Sequence, residues 1–271
     1  MTRDLSQEIL QLQQIVKKLR SPDGCPWDKE QTSESLIPYL LEETYEVIDA
    51  IKEEQWDDLK SELGDLMLHI VFQADIAEGK SLFSLEDALR SINEKLLRRH
   101  PHVFSESEKN ETLSKEAVLD NWEKLKMAEG RTSVLEGVPK HAASLLKAQR
   151  IQEKASKVGF DWDEVAPAMD KVDEELAELK EAWESADTEH IEEELGDLLF
   201  ATVNVSRLMN LNAELTLRKA VEKFQTRFQA MEQIFKAKNW DINTATLEEM
   251  DKVWDEVKLV LRDQKRINKN K

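Results

Sequence analysis

Five acidic residues recur in this chain at a constant offset of 132 positions. The first set is Glu42, Glu43, Glu46, Glu62 and Asp65, and the second set is Glu174, Glu175, Glu178, Glu194 and Asp197. Each set ends in the sequence Glu-Leu-Gly-Asp-Leu. Acidic residues are abundant, at 56 of 271, so one match would carry little weight. Two complete sets in one register indicate an internal duplication, and the duplicated feature is a group of carboxylates.

The repeat offset also predicts the domain organisation. A chain of 271 residues can hold two domains of ordinary size, each with its own core. We predict an N-terminal domain over 1–112, a helical connector over 113–139 and a C-terminal domain over 140–271. Glycine and proline are scarce, at 7 and 6 residues, and alternating β-branched residues are hard to find. This composition favours an all-α fold.

The spacing of apolar residues predicts where the helices lie. The predicted helices cover residues 5–19, 36–53, 56–79, 85–99, 117–129, 142–157, 167–185, 190–209, 215–238 and 247–264. In each half, the first three acids of the set therefore fall on one helix and the last two fall on the next helix. Because the connection between those helices is short, we expect them to be antiparallel neighbours.

Charge and cysteine content exclude several classes of function. The net charge of −18 argues against binding to nucleic acid or to an anionic membrane, since both need clustered cations. A single cysteine, Cys25, fits a reducing compartment. The N-terminus has acids where a signal peptide would be apolar, and no apolar run approaches about 18 residues. These features predict a cytoplasmic protein.

Converging carboxylates predict a metal site. If the acids of neighbouring helices face one another, their mutual repulsion needs a cation to offset it. Oxygen ligands without Cys or His suit a hard ion, so we expect Mg²⁺, with Mn²⁺ as a substitute. Glu42 and Glu174 are candidates to orient or deprotonate a water there. Gly64 and Gly196 lie within helices, where glycine is unfavourable, and predict close approach by another helix or a ligand.

Two alternatives remain open at this point. A di-iron carboxylate bundle also builds its site from glutamates on helices, but it requires Glu-x-x-His. The residues three positions before the five histidines are Leu66, Leu97, Arg99, Val138 and Asp187, and none is a glutamate. A non-enzymatic helical scaffold, in which the acids only solubilise the surface, is the other alternative. It predicts no stabilisation by metal.

Several motifs together resemble a known family. They are Ser21-Pro-Asp-Gly-Cys-Pro-Trp-Asp-Lys-Glu-Gln-Thr32, Tyr39-Leu-Leu-Glu-Glu-Thr-Tyr-Glu46, Glu62-Leu-Gly-Asp65, Arg98-Arg-His-Pro-His-Val-Phe104, Val158-Gly-Phe-Asp-Trp162 and Glu194-Leu-Gly-Asp-Leu-Leu-Phe200. The chain resembles the MazG nucleoside triphosphate pyrophosphohydrolases, as a tandem-domain member. The resemblance implies two tandem helical bundles, a homodimer, and Mg²⁺-dependent hydrolysis of ribo- or deoxynucleoside triphosphates, ATP included, to nucleoside monophosphate and pyrophosphate.

The resemblance also implies roles for individual residues. Metal ligands match Glu43, Glu46, Glu62 and Asp65 in the first half, and Glu175, Glu178, Glu194 and Asp197 in the second. Glu174, Glu175 and Asp197 are the expected catalytic residues. Lys223 and Arg227 resemble the phosphate-binding pair, and Lys95 and Arg99 are a looser first-half counterpart. Trp162, Trp254 and Lys258 are candidates to contact the base.

The two halves differ at one position that bears on activity. Asn204 follows the second acid set as a further candidate for substrate binding, whereas the matching first-half residue is Phe72. We therefore expect the C-terminal domain to carry most of the activity. No base-reading pattern is visible, so we expect broad tolerance of the base. The sequence does not predict a preferred sugar or a protein partner.

Overall fold

The chain folds into two helical units. The structure is a computed structural model that describes residues 4–105, 114, 118, 121–122, 130 and 132–269. Internal contacts divide the chain into Met1–Val118 and Leu119–Lys271. The described residues form helices and turns without a strand, which confirms the predicted all-α class. The predicted limits of 1–112, 113–139 and 140–271 stay a prediction, and most of the expected helix at 117–129 lies outside the described residues.

The first unit is built around a long central helix. Its helices are α1 (Leu5–Leu19), α2 (Pro26–Glu30), α3 (Ile37–Lys52), α4 (Trp56–Gly79), α5 (Leu85–Arg99) and α6 (Pro101–Phe104). Helix α4 packs against α3, α1 and α5. The buried side chains include Val16, Leu36, Val71 and Phe72. The apolar pattern missed α2 and α6 because each is too short to show a period, although each begins with proline.

The second unit repeats this plan and adds one further long helix at its end. Its helices are α7 (Ser144–Ser156), α8 (Val165–Ser185), α9 (Thr188–Leu208), α10 (Ala213–Ala237) and α11 (Leu247–Lys269). Helix α8 packs along α9, and α7 contacts both α9 and α10. Helices α10 and α11 pack through a buried cluster of Met231, Phe235, Val253 and Val257. Within the described residues, no helix has both the length and the apolar content needed to cross a membrane.

A tight turn joins the two acidic helices of each unit. Glu54 follows α3 and Ala186 follows α8, and both have a φ of 56°. The two residues are 132 positions apart, so the left-handed turn belongs to the duplicated pattern. A left-handed backbone is unfavourable for residues other than glycine, and the packing of the paired helices offsets its cost. The turn makes the helices antiparallel and sets the carboxylates of one against those of the next.

An arginine–aspartate pair anchors the first unit's loop to its central helix. Arg20 Nε lies 2.7 Å from Asp75 Oδ2. The same guanidinium donates through Nη1 to the backbone oxygens of Asp28 and Gln31, at 2.9 and 3.2 Å. The loop that contains α2 is thereby fixed to the C-terminal half of α4.

Candidate metal centres

Three carboxylates of the first unit meet between α3 and α4. Glu43 extends from α3, and Glu62 and Asp65 extend from α4. One oxygen of each lies within 4.8 Å of the others, and all three residues are half-buried. Glu46 is exposed and stands outside this close group. It is nevertheless close enough to Glu62 to raise the pKa of that carboxyl group.

The matching carboxylates of the second unit meet in the same way. Glu175 of α8 and Glu194 and Asp197 of α9 place one oxygen each within 4.8 Å of one another. Glu175 is only 5% exposed, whereas Asp197 is exposed. Glu178 lies outside the close group and is half-buried. Each unit therefore brings together three of its four predicted metal ligands.

The spacing of these oxygens suits a single hard cation. Oxygen ligands lie about 2.1 Å from Mg²⁺, so opposite ligands in an octahedron are about 4.2 Å apart. The clustered oxygens of each unit lie within 4.8 Å of one another, so small movements of the side chains would bring them to that ligand spacing. The donor set is entirely carboxylate, which Mg²⁺ and Mn²⁺ prefer over imidazole and thiolate. Both acidic clusters could hold a metal ion.

Burial and repulsion disturb the acids of the first cluster. Burial raises the pKa of Glu43, and the negative charge of Asp65 raises it further. The pKa of Glu62 is raised by burial and then by its hydrogen bond with Glu46. Burial lowers the pKa of the neighbouring His69 imidazole, although the charge of Asp65 opposes that effect. Burial and mutual repulsion thus disfavour the charged form of Glu43 and Glu62 in this cluster.

The second cluster has nearby basic groups instead. Lys171 Nζ lies 2.7 Å from Glu175 Oε1 and 2.9 Å from Glu174 Oε1. Hydrogen bonds to Glu175 and then Glu174 raise the pKa of that lysine. His190 Nε2 lies 3.0 Å from Glu194 Oε1. The pKa of Glu178 is raised by burial and then by the charge of Glu194.

The two positions that carry these basic groups are not basic in the first unit. The residues 132 positions before Lys171 and His190 are Tyr39 and Asp58. We did not predict a role for Lys171 or His190 from sequence. Their spacing was an available signal, since each basic residue lies four positions before a predicted ligand on the same helix.

The helical glycines face open space. A methyl group added to Gly64 or Gly196 would meet no atom within 4 Å. The expected close approach by another helix is therefore wrong within the described part of each unit. The open surface lies next to Leu63 and Leu195, which are 52% and 46% exposed. Room for a ligand or a second chain adjoins both acidic clusters.

Three predicted substrate-binding cations line one groove in the second unit. Lys223 and Arg227 extend from α10, and Lys258 extends from α11 across the same groove. Lys258 Nζ lies 2.8 Å from Asp255 Oδ1. None of the clustered carboxylates lines this groove. The first-half candidates, Lys95 and Arg99, lie one helical turn apart on α5.

The two candidate tryptophans have different surroundings. Trp254 packs beside Phe224, with ring centroids 5.3 Å apart, and contacts the core between α10 and α11. Trp162 lies in the turn before α8 and is 40% exposed. Its backbone N–H donates to the carboxylate of the preceding residue, Asp161. Packing in the core therefore accounts for most of the contacts of Trp254 and for few of those of Trp162.

Asn204 is engaged by a neighbouring arginine. Its Oδ1 accepts hydrogen bonds from Nε and Nη2 of Arg207, at 2.9 and 2.7 Å. Arg207 also donates from Nη1 to Asp161 Oδ2 at 2.9 Å, and from Nη2 to the other oxygen. These bonds lower the pKa of Asp161. The network ties the turn that carries Trp162 to α9, and Arg207 is a residue that the sequence did not single out.

Comparison with known proteins agrees with this geometry. The model of the MazG nucleotide pyrophosphohydrolase domain matches residues 31–104 and again residues 154–231. The chain is 45% identical over 258 residues to a nucleoside triphosphate pyrophosphohydrolase of Escherichia coli K12, covering 93% of this chain and 97% of that protein.

Two further relatives extend the comparison. The chain is 44% identical over 251 residues to a nucleoside triphosphate pyrophosphohydrolase/pyrophosphatase MazG of Thermotoga maritima, covering 92% of this chain and 94% of that protein. It is 42% identical over 258 residues to the uncharacterized protein YabN of Bacillus subtilis, of which it covers 52%. The predicted family is confirmed, and the chain belongs to the MazG nucleotide pyrophosphohydrolase family.

Proposed function

We propose that this protein hydrolyses nucleoside triphosphates and deoxynucleoside triphosphates to nucleoside monophosphate and pyrophosphate, in a reaction that depends on Mg²⁺. The observation that carries the proposal is the convergence of Glu175, Glu194 and Asp197 from two neighbouring helices. The relatives named as nucleoside triphosphate pyrophosphohydrolases support the substrate class. Mn²⁺ is the expected substitute ion.

We assign separate roles in metal binding and proton transfer to the acidic side chains of the second unit. A bound divalent cation would supply charge neutralisation for the triphosphate and lower the pKa of a coordinated water. Glu175, Glu178, Glu194 and Asp197 are the proposed ligands. Glu174 is exposed beside Glu175, and we assign it the proton of the attacking water. The attack falls on the α-phosphorus, and pyrophosphate is the leaving group.

Cations of the second unit are assigned to the phosphate chain. Lys223 and Arg227 share one groove with Lys258, so their charges can act on a single anionic ligand. In this proposal they offset the charge of the departing pyrophosphate. Trp162, Trp254 and Asn204 are assigned to the remainder of the nucleotide. Without a base-reading arrangement among them, broad base tolerance is the expected specificity.

The second unit is proposed to carry most of the activity. Its cluster contains the more deeply buried ligand, Glu175, and the same unit carries the groove lined by Lys223, Arg227 and Lys258. In the first unit, Lys95 and Arg99 would serve a weaker site built on Glu43, Glu46, Glu62 and Asp65. Phe72 replaces the Asn204 side chain there, which removes one polar contact.

A homodimer in the cytoplasm is part of the same proposal. Apolar side chains next to the acidic residues are exposed in the single chain, as in Met67, Ile70, Leu199 and Phe200. Such surfaces mark protein contacts in soluble proteins. The net charge of −18 disfavours nucleic acid and anionic membrane as partners. Sedimentation measurements at several protein concentrations test the dimer directly.

Product analysis tests the reaction. The protein is incubated with Mg²⁺ and each of a panel of ribo- and deoxynucleoside triphosphates, and the products are separated. Equal amounts of nucleoside monophosphate and pyrophosphate are expected, with similar rates across the bases. Release of single phosphates, or no product from any nucleotide, would contradict the proposal. The Asp197→Ala variant is the matched control, because it removes one ligand without disturbing the helix.

A further inference from the structure

Lys171 lies where it can neutralise the most buried acid of the second cluster. Its ammonium contacts Glu175 at 2.7 Å and Glu174 at 2.9 Å. The Glu175 side chain is 7% exposed and the Lys171 side chain is 36% exposed. A carboxylate with so little access to water needs a partner within the protein. Lys171 supplies that partner from the preceding turn of the same helix.

The first cluster has no lysine in the position that Lys171 occupies in the second. Tyr39 occupies the position of Lys171, and its ring packs edge-on against Trp27 at 5.7 Å. No basic side chain is paired with Glu43, Glu62 or Asp65 among the described contacts. The three clustered carboxylates of the first unit nevertheless place one oxygen each within 4.8 Å of the others. The equivalent acids of the duplicated helices therefore have a cationic partner in one unit and face only one another in the other.

We propose that Lys171 is a positioning residue that acts as the resident counter-cation of the second cluster and gives up its contact with Glu175 when a divalent metal binds. The inference rests on the metal site of the proposed function. The carboxylate of Glu175 is both the group nearest to Lys171 Nζ and a member of the cluster. A divalent ion and an ammonium at one carboxylate repel each other. Lys171 thus stabilises the metal-free cluster and competes with the ion.

The exchange of Lys171 for a metal ion predicts opposite changes in metal-free stability and in metal affinity when the lysine is removed. Removal of Lys171 should leave the buried carboxylate of Glu175 without its cationic partner, which destabilises the metal-free protein. The same change removes a competitor, so the metal should bind more tightly. A side chain that only packs against its neighbours would lower stability without increasing metal affinity. The two effects together distinguish a counter-cation from a packing residue.

The experiment measures Mn²⁺ binding to the full-length chain. A Glu62→Ala/Asp65→Ala background removes the first cluster, so that the signal of free Mn²⁺ in electron paramagnetic resonance reports the second. Lys171→Met is then compared with Lys180→Met, which removes an exposed lysine of α8. We expect Lys171→Met to bind Mn²⁺ roughly fivefold more tightly. We also expect it to melt at a lower temperature without metal and to show a larger upward shift with Mn²⁺.

The charge-retaining variant completes the test. Lys171→Arg should return both the Mn²⁺ affinity and the metal-free melting temperature to the values of the background, and Lys180→Met should match the background in both. Unchanged or weaker Mn²⁺ binding by Lys171→Met overturns the inference and leaves the proposed function in place. If the background itself binds no Mn²⁺, the proposed metal site fails, and the inference fails with it.

Discussion

Arg207 and Asp161, 46 residues apart in the chain, form a two-pronged ion pair in the second unit. The arginine side chain is 12% exposed and the aspartate side chain is 25% exposed. When an ion pair has little access to water, removing one partner leaves the other charge uncompensated and lowers the stability of the fold. Since Arg207 also binds Asn204, one side chain fixes both the turn before α8 and a candidate substrate residue of α9.

Removal of this arginine should loosen the turn. We expect Arg207→Met to lower the unfolding free energy by about 1 to 3 kcal/mol, because Asp161 loses its charged donor. Urea denaturation followed by circular dichroism measures the change. Arg150→Met is the control, since Arg150 pairs with Glu153 on an exposed helix face and should cost less than about 1 kcal/mol.

The same variant should show a defined pH dependence. Arg207 lowers the pKa of Asp161 below its ordinary value of 3.8. The pair therefore stabilises the folded state fully above pH 3.8 and loses this contribution as the pH falls through the lowered folded pKa. The stability difference between the original chain and Arg207→Met should shrink over that interval. A difference that stays constant to lower pH would show that the guanidinium acts through packing alone.

The acidic clusters should respond to pH with the opposite sign. Burial raises the pKa of Glu43, Glu62 and Glu178 above the ordinary 4.5. Protonation therefore favours the folded state, and metal-free stability should fall as the pH rises from 4.5 through the raised values. Millimolar Mg²⁺ should reverse the loss, because it binds the ionised carboxylates of the folded state. Identical melting of EDTA-treated protein with and without Mg²⁺ would contradict the metal sites.

The two clusters should contribute unequally to turnover. Asp197→Ala should abolish most of the pyrophosphohydrolase activity and leave the helical content intact, since it removes a ligand and some repulsion together. Asp65→Ala should cost less, because Phe72 stands in the first unit where the second has Asn204, and Lys95 and Arg99 are the looser counterparts of the phosphate-binding pair. Steady-state rates of both variants with one nucleotide give the comparison. Equal losses, or a larger loss from Asp65→Ala, would reverse the assignment of the dominant site.

The open surface at Gly196 makes a further prediction. Alanine in a helix is more favourable than glycine by up to about 1 kcal/mol, and no atom within 4 Å obstructs the added methyl group. Gly196→Ala should therefore melt at a higher temperature than the original chain. If a ligand or a second chain uses the space beside Asp197, the same variant should lose turnover. Full activity at higher stability would show that the space is not used.

The bond that breaks can be identified by isotope labelling. Hydrolysis in water enriched in heavy oxygen should place the label in the nucleoside monophosphate and none in pyrophosphate, because the attack falls on the α-phosphorus. Mass spectrometry of the separated products reads the label. Label in pyrophosphate would indicate attack on the β-phosphorus and would remove the proposed mechanism even if the metal sites are real.

Helix periodicity and the repeated acids predicted much of the fold. The helices at 56–79 and 85–99 have the expected limits, because long amphipathic segments and their caps are local properties of the sequence. Helix α8 begins at Val165, two residues before the prediction. The apolar period does not predict burial for Leu41, Ile51, Leu63 and Ile70. They fit the apolar period but are about half exposed, since the pattern marks an apolar face without saying what covers it.

The site was predictable only where its residues repeat. The carboxylates were found because the duplication brings them to attention twice. Lys171, His190 and Arg207 were missed because each occurs in one copy alone, where a basic residue on a helix resembles any solvated charge. Arg207 in addition pairs with Asp161, 46 residues away, and that contact becomes visible only in the folded chain.

The partly buried charge pairs of the two units also oppose the replacement of one copy of the helix by the other. Asp75 of α4 and Arg207 of α9 occupy equivalent positions, yet the first pairs with Arg20 and the second with Asp161. Recombination that copied the α9 segment into the place of α4 would set one guanidinium against another. The reverse exchange would set two carboxylates together. The opposite charge at this shared position is therefore a structural difference between the two copies that each copy's own partner requires.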